Sequence, residues 1–596
     1  MRQAQVLWNR ALTWRSGACS WAVAALLATF AAGLAACTPE GQTDAGPNLA
    51  AAQPKTPVSG TRHMIAAGHP LAAEAGRMIL RAGGSAVDAA IAAALALNVV
   101  EPQASGIGGG GFLLHYAAQK GEIAAYDGRE TAPQSAHPYL FVADGKPMAF
   151  LDAAVGGRAV GVPGLLRMLA MAHNDHGRLP WNKLFEPAIK LAEDGFPISK
   201  RLSAMIAEAP RLKAFPTAAN YFFDADGKPK TPGTTLRNPA LAATLRAIAA
   251  DGADAFYKGA IAEAVAEAVQ GAAVNPGGLT SEDLASYQEK KREPACLAYR
   301  AWLVCGMPPP SSGGIATLQI LGILQTFDLK ALTPASAEAV HLVAEASKLA
   351  FADRNAYIAD PDFTPVPAAG LLDPEYLKRR AAAIARDRSA GKAQPGMPGT
   401  RADGRAAGGD EVGDSTSHIS VIDGDGNAVA LTASIETRFG SRLMVRGFLL
   451  NNQLTDFDFV PNDSGAPVAN RVLAGKRPRS SMAPTLVFDA QGRAILAVGS
   501  PGGSRIIGYV TKVLLATLDW NLDVQQAVQI PNSLNRNGAT EIEKGTALER
   551  LKPALEAMGH SVEVRALPSG LHAVRADGKT LTGAADSRRE GAALGD

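Results

Sequence analysis

Two common hydrolase signatures are missing from this sequence. No G-x-S-x-G and no H-E-x-x-H occurs along its 596 residues, and the one S-x-x-K match, Ser389 to Lys392, lies in a stretch with almost nothing to bury. Each absence lowers a class of hydrolase. Charge of one sign is missing too: 58 basic and 56 acidic residues leave a formal +2, and no block of like charge recurs. Nucleic acid therefore has no electrostatic footprint here, and the expected partner is a small molecule. Cysteine is scarce, with four residues in all, and neither their spacing nor nearby histidines suggest zinc, so no metal is expected. Past the N-terminal segment no apolar run reaches the ~20 residues that a bilayer requires. What the chain does have is 47% hydrophobic residues and 61 glycines, enough for a large core and unlike a coiled coil or a disordered tail.

Arg2, Arg10 and Arg15 precede an apolar run from about Ala22 to Ala36, which stops at Leu34-Ala35-Ala36-Cys37. The run is short for a spanning helix and reads as a secretory leader, residues 1–36, with an uncleaved anchor as the other reading. The small residues before Cys37 resemble a bacterial lipobox, in which that cysteine carries lipid. Residues 37–60, rich in Pro, Gly, Gln and Thr, read as a flexible tether. The expected location is the periplasm, free or anchored through Cys37. Cys296 and Cys305 flank an expected hairpin: with Arg300-Ala301 as a two-residue turn they face each other, and an oxidising compartment permits a disulfide. Two small core residues in a strand pair is the equal alternative.

Ser85-Ala86-Val87-Asp88 reads as a capping box opening a buried helix to Val100, ended by Glu101-Pro102. Gly106 to Gly111 fits G-x-G-x-x-G, but a helix precedes it and a strand, Phe112 to Tyr116, follows, so a pyrophosphate would find no helix N-terminus. Leu165 to about Ala272 is mostly helical, and Ser336 to Asp360 is a further helix. From Arg388 to Ser415 the composition turns to Gly, Ala, Pro and charge, an unusually long structureless stretch. Short alternating runs follow: His418–Ile422, Ala428–Ser434, Phe448–Asn451, Thr485–Phe488 and Ile495–Gly499. Blocks of helices and strands on both sides of the break favour an α+β layered fold.

The candidate chemistry lies where that loop meets a strand, in Gly413-Asp414-Ser415-Thr416-Ser417-His418. Were the bond before Thr416 cut, its hydroxyl would sit beside its own α-amine, whose pKa of about 8 suits a general base. On these six residues alone an ordinary loop-to-strand threonine is the more common reading.

With Asp127-Gly128-Arg129-Glu130, Pro308-Pro309-Pro310-Ser311-Ser312-Gly313-Gly314, Ala352-Asp353-Arg354, Asp425-Gly426-Asn427, Leu450-Asn451-Asn452-Gln453, Ser480-Ser481-Met482 and Ser500-Pro501-Gly502-Gly503-Ser504 in order, the chain resembles the γ-glutamyltransferases, of the N-terminal-nucleophile hydrolase superfamily. The resemblance runs from about Thr61 to the C-terminal end. It implies a four-layer αββα sandwich built by two chains of one self-cleaving precursor: residues 61–415 as a large subunit and 416–596 as a small one, cut between Ser415 and Thr416. It gives Thr416 the nucleophile role, Ser434 the hydroxyl beside it, and Gly502 and Gly503 the oxyanion hole. Arg129, Ser480 and Ser481 would hold a donor's α-carboxylate. Gln453 and Asp456 would hold its ammonium, together with Glu436, which stands where well-known members carry asparagine. The segment from Asp458 to Lys476 corresponds to a lid and is somewhat short, without tyrosine or cysteine.

The implied activity is attack on γ-glutamyl amides such as glutathione, with the acyl-enzyme resolved by water or an amino acid or peptide, and with no cofactor. Two rivals stand beside it: an amidase of the cephalosporin or glutaryl acylase type on the same scaffold, and a solute-binding lipoprotein that never matures.

Overall fold

The computed structural model describes residues 55–209, 211–399, 415–463 and 465–596. The leader, Cys37, most of the 37–60 tether, and residues 400–414 of the Arg388–Ser415 stretch lie outside these. Among the described residues no helix is long and apolar enough to cross a membrane.

Two seven-stranded antiparallel sheets lie face to face with helices on both outer sides, a four-layer αββα sandwich. The first sheet runs in the order Ala592–Gly595, Met64–Ala67, Ser417–Ile422, Ala428–Ser434, Gly110–Ala117, Glu122–Gly128, Lys290–Arg292. The second runs Val58–Gly60, Thr580–Ala585, His572–Asp577, Ala494–Gly499, Thr485–Phe488, Trp302–Gly306, Ala295–Tyr299. Strands from before and after Thr416 are interleaved in both. Neither segment holds a complete sheet, so separating them would strip backbone hydrogen bonds from each.

Strand periodicity assigns the faces. Ile419 and Val421, with Val429 and Leu431, point into the outer core shared with the first helical layer. Ala428, Ala430, Phe112 and Leu114 point the other way, toward Leu486, Phe488 and Ala497 of the second sheet. His418 shares that inner face: it bonds Thr432 Oγ1 at 2.8 Å, and its ring lies where a side chain on Gly499 would have to go. Thr416 and Ser434 lie two residues further along these strands, on the same side.

The helix Ala86–Val100 carries the capping box in both directions, Asp88 N to Ser85 Oγ at 3.2 Å and Ser85 N to Asp88 Oδ2 at 2.9 Å. All of its residues are buried, because it lies between the first sheet and the helices Pro70–Arg81 and Glu186–Asp194. The helices Gly313–Leu324, Ala337–Tyr357 and Ile506–Leu518 cover the second sheet.

Two expectations need correction. The tether ends early: Val58–Gly60 is an edge strand of the second sheet, and Lys55 Nζ donates to the carbonyls of Asp586, Arg589 and Gly591. The run Phe448–Asn451 shortens to the two-residue strand Phe448–Leu449, since Asn451 turns its side chain onto the Gly108 and Gly161 carbonyls. The hairpin forms as read, with Tyr299 opposite Trp302, Arg300 in the left-handed region at φ 55°, and Cys296 opposite Cys305 and disulfide-bonded to it.

The glycine run 106–111 owes its composition to close main-chain approach. A Cβ on Gly108 would lie 2.1 Å from the Leu449 carbonyl oxygen, and one on Gly109 2.1 Å from that of Ser434. Gly109→Val is expected to lower stability by about 2 kcal/mol or more, the scale of an overpacked core, and to displace the end of the strand carrying Ser434. Thermal denaturation checks this, and an unchanged melting temperature would contradict it.

Candidate active site

Thr416 sits just ahead of the strand Ser417–Ile422, directly beside the end of Ala428–Ser434, and is 4% exposed. Its Oγ1 donates to the carbonyl oxygen of Ser415 at 2.7 Å, and Ser434 Oγ reaches the same oxygen at 2.9 Å. The two hydroxyls are 3.1 Å apart. Ser434 Oγ also accepts the Glu436 N–H at 2.9 Å, which orients its own proton toward this pair. The Ser415 peptide is held from the other side as well: its N–H donates to the Glu436 carbonyl at 3.2 Å and its hydroxyl to the Gln103 carbonyl at 2.8 Å. One peptide carbonyl is thus clamped between two alcohols on a rigid strand end.

A narrow cleft opens onto this clamp, lined by Thr416, Ser434, Glu436, Gln453, Asp456, Ser480, Ser481, Met482, Gly503 and Ile506. Ser480 Oγ accepts the Met482 N–H at 3.1 Å, and Ser481 Oγ accepts Arg354 Nη2 at 2.7 Å. Each serine therefore uses a lone pair inside the protein and keeps its proton for the cleft, a pair of donors suited to a carboxylate. Ser312 fixes them through the Ser480 carbonyl, at 2.7 Å from both its N–H and its Oγ. Two carboxylates and an amide also line the cleft. Glu436, at φ 79°, is held by Asn452 Nδ2 at 2.7 Å. Gln453 is 1% exposed, and its Oε1 has no hydrogen-bond partner among the described residues. An unsatisfied buried acceptor next to two acids fits a cationic ligand group.

Gly502 and Gly503 have φ of 138° and 57°, conformations that glycine adopts readily. Gly503 lines the cleft and Gly502 does not. The helix Ile506–Leu518 starts immediately afterwards, so the positive end of its dipole also faces this corner.

Arg129 is placed differently from its neighbours in the expected set. Fully buried, it is absent from the lining, and it is paired with Asp456. Its Nε donates to the Pro478 carbonyl at 3.2 Å and its Nη2 to the Arg479 carbonyl at 3.0 Å. A ligand carboxylate could use this guanidinium only by sharing it with Asp456. Three contributors were not assigned a role from sequence: Asn452 and Arg354, both inside matched motifs, and Glu130. Glu130 is fully buried, 3.5 Å from Arg129 Nη1, with Oε1 unpartnered among the described residues. Burial, outweighing the Arg129 cation and reinforced by Asp456 and Asp127, pushes its carboxyl up to about 8.

Opposed sheets with a hydroxyl residue at the head of an inner strand define the N-terminal-nucleophile hydrolase class of fold. The chain belongs to the γ-glutamyltranspeptidase family, whose model matches residues 72–596. A glutathione hydrolase proenzyme of Bacillus subtilis (strain 168) is 39% identical over 545 residues, 89% of this chain and 91% of that one. The crystal structure of cephalosporin acylase from Bacillus halodurans superposes with a TM-score of 0.81 at 28% identity, covering 94% of this chain and 99% of that one. For Helicobacter pylori γ-glutamyltranspeptidase the TM-score is 0.52 at 38% identity, over 53% of this chain and 90% of that one.

Glu130 yields a pH prediction. A carboxyl whose folded pKa is raised binds its proton more tightly folded than unfolded, so the protein loses stability as pH climbs from the ordinary 4.5 through about 8. Glu130→Gln, which cannot ionise, is expected to melt progressively higher than the parent across that window and to hold a constant advantage above it. A melting-temperature difference independent of pH would contradict this.

Proposed function

We propose that the chain is a precursor that cuts itself between Ser415 and Thr416 and then acts as a γ-glutamyl hydrolase and transferase, with glutathione among its substrates. The observation that carries this is the Ser415 carbonyl oxygen held by Thr416 Oγ1 and Ser434 Oγ. Oγ1 adds to the Ser415 carbonyl carbon while the Ser434 hydroxyl supports the oxygen, and the C–N bond breaks to leave an ester on Thr416. Water then hydrolyses the ester, leaving a free carboxylate on Ser415 and a free α-amine on Thr416. Residues 61–415 and 416–596 remain together as a heterodimer because both sheets are shared.

In the mature site the amine accepts the Oγ1 proton as the oxygen attacks the γ-carbonyl of the donor, then returns it to the departing amine. The N–H groups of Gly502 and Gly503 receive the developing oxyanion. The acyl-enzyme passes to water or to an amino acid or peptide, and no cofactor enters the route. Ser480 and Ser481, joined by Arg129 when Asp456 yields part of its guanidinium, hold the α-carboxylate, while Glu436, Gln453 and Asp456 hold the α-ammonium. The Cys296–Cys305 disulfide supports an oxidising compartment such as the periplasm, and anchoring through Cys37 belongs to the same reading.

A denaturing gel of the purified protein should show two bands that revert to one in Thr416→Ala. A single band in the parent would favour the unprocessed solute-binding lipoprotein. Likeness to a cephalosporin acylase keeps the glutaryl amidase reading alive, and the carboxylates lining the cleft favour the γ-glutamyl reading over it. The expected result is faster hydrolysis of a γ-glutamyl anilide than of a glutaryl anilide, which lacks the α-amine. The reverse preference would assign the cleft to acyl groups without a cation.

A further inference from the structure

Far from the cleft, three buried side chains aim one atom each at a common point. The helix Ala337–Tyr357 presents His341 and Glu345 four residues apart, on one face. His560 comes from the turn between helix Lys552–Ala557 and strand Val562–Arg565. Ligand atoms of all three lie within 4.8 Å of one another.

Hydrogen bonding fixes which atoms face inward. His341 Nε2 is 2.7 Å from the Ala385 carbonyl, which can only accept, so that nitrogen carries the proton and Nδ1 presents a lone pair. His560 Nε2 lies 2.7 Å from that lone pair and supplies the proton between them. His560 Nδ1 is bonded to Thr540 Oγ1 at 3.0 Å, a hydroxyl that can donate or accept, so the ring can exchange tautomers and free Nε2 without changing charge. Glu345 Oε2 accepts the Ala390 N–H at 3.0 Å, which leaves Oε1 for the interior, 3.9 Å from His560 Nε2. Each residue thus has its outer atom fixed by a protein partner and its inner atom directed at the same spot, the outer-shell arrangement of metal-ligating histidines and carboxylates.

We propose that His341 Nδ1, His560 Nε2 and Glu345 Oε1 form a binding site for one divalent cation of the zinc class, and that the ion clamps the segment before Ser415 to the segment after Thr416. Two imidazoles and a carboxylate are a donor set that zinc accepts. Bonds of about 2.0–2.1 Å place tetrahedral ligand atoms about 3.3 Å apart, so the two ring nitrogens, 2.7 Å apart, must part by roughly half an ångström and Glu345 Oε1, 3.9 Å from His560 Nε2, must close by about as much. Lys348 is the competitor: its Nζ holds Glu345 Oε1 at 2.6 Å, and its second acceptor, Ser389 Oγ at 2.7 Å, gives it a place to withdraw. The sequence offers no metal-ligand spacing because the two histidines are 219 residues apart. The proposal is independent of the reaction at Thr416.

Chelator-stripped full-length protein titrated with Zn²⁺ alone tests it by calorimetry and by melting. One ion per chain and a raised melting temperature are expected. His560→Gln and Glu345→Gln should each lose both effects while keeping the far-UV circular dichroism of the parent. Lys348→Met, by removing the like charge, should bind at least tenfold more tightly. Absence of binding, binding that survives both ligand variants in folded protein, or no gain in Lys348→Met would overturn the site as proposed.

Discussion

The structure turns on one peptide carbonyl. Ser415 O has two hydroxyls within hydrogen-bonding distance at the head of an inner strand, and the surrounding main chain is arranged to keep it there. Gln103 and Glu436 hold the residue in front of the strand. The glycines at 108 and 109 let the preceding loop touch the Leu449 and Ser434 carbonyls. His418, wedged against Gly499, links the strand behind Thr416 to the strand that leads into Gly502 and Gly503. Thr416 and the Gly502–Gly503 turn follow strands of different sheets, so their relative position is set by sheet-on-sheet packing, which is stiffer than any loop.

The same interleaving resolves a mechanical problem. A protein that severs its own backbone in mid-fold has to survive the cut. Under the proposed cleavage the break would fall where a long, poorly apolar stretch meets a strand, and the strands on its two sides already alternate in both sheets. The new chain ends can part locally while the core stays closed, since the buried apolar clusters draw residues from both sides of the junction.

The cleft carries both kinds of group that an amino acid head needs. Serine hydroxyls, one of them bonded to Arg354, share its lining with two carboxylates and an amide oxygen that has no partner among the described residues. Arg129 and Asp456 are paired with each other. A zwitterion would exchange one internal ion pair for two intermolecular ones, which keeps the buried site near neutrality.

Local features of this fold were legible from sequence: the Ser85 box, the Cys296–Cys305 hairpin and the alternating strands after Thr416 each depend on residues a few positions apart. The site residues were legible only through resemblance to a family, because Arg129, Thr416, Ser434 and Ser480 meet through sheet register that no local pattern encodes. The strand Val58–Gly60 was read as tether because Val-Ser-Gly has no periodicity and its order comes from its partner, Thr580–Ala585. Glu130 lay inside a matched motif but its raised carboxyl did not show in sequence, and the His341–His560 pair carried no signal, since their character comes from burial and from neighbours distant in sequence.

Determining the N-terminal residues of the small chain in active protein tests the central claim most directly. The account predicts a fragment that begins Thr416-Ser417-His418, with the companion chain ending at Ser415. Active protein with an unbroken backbone across that bond, or with a break elsewhere, would contradict it.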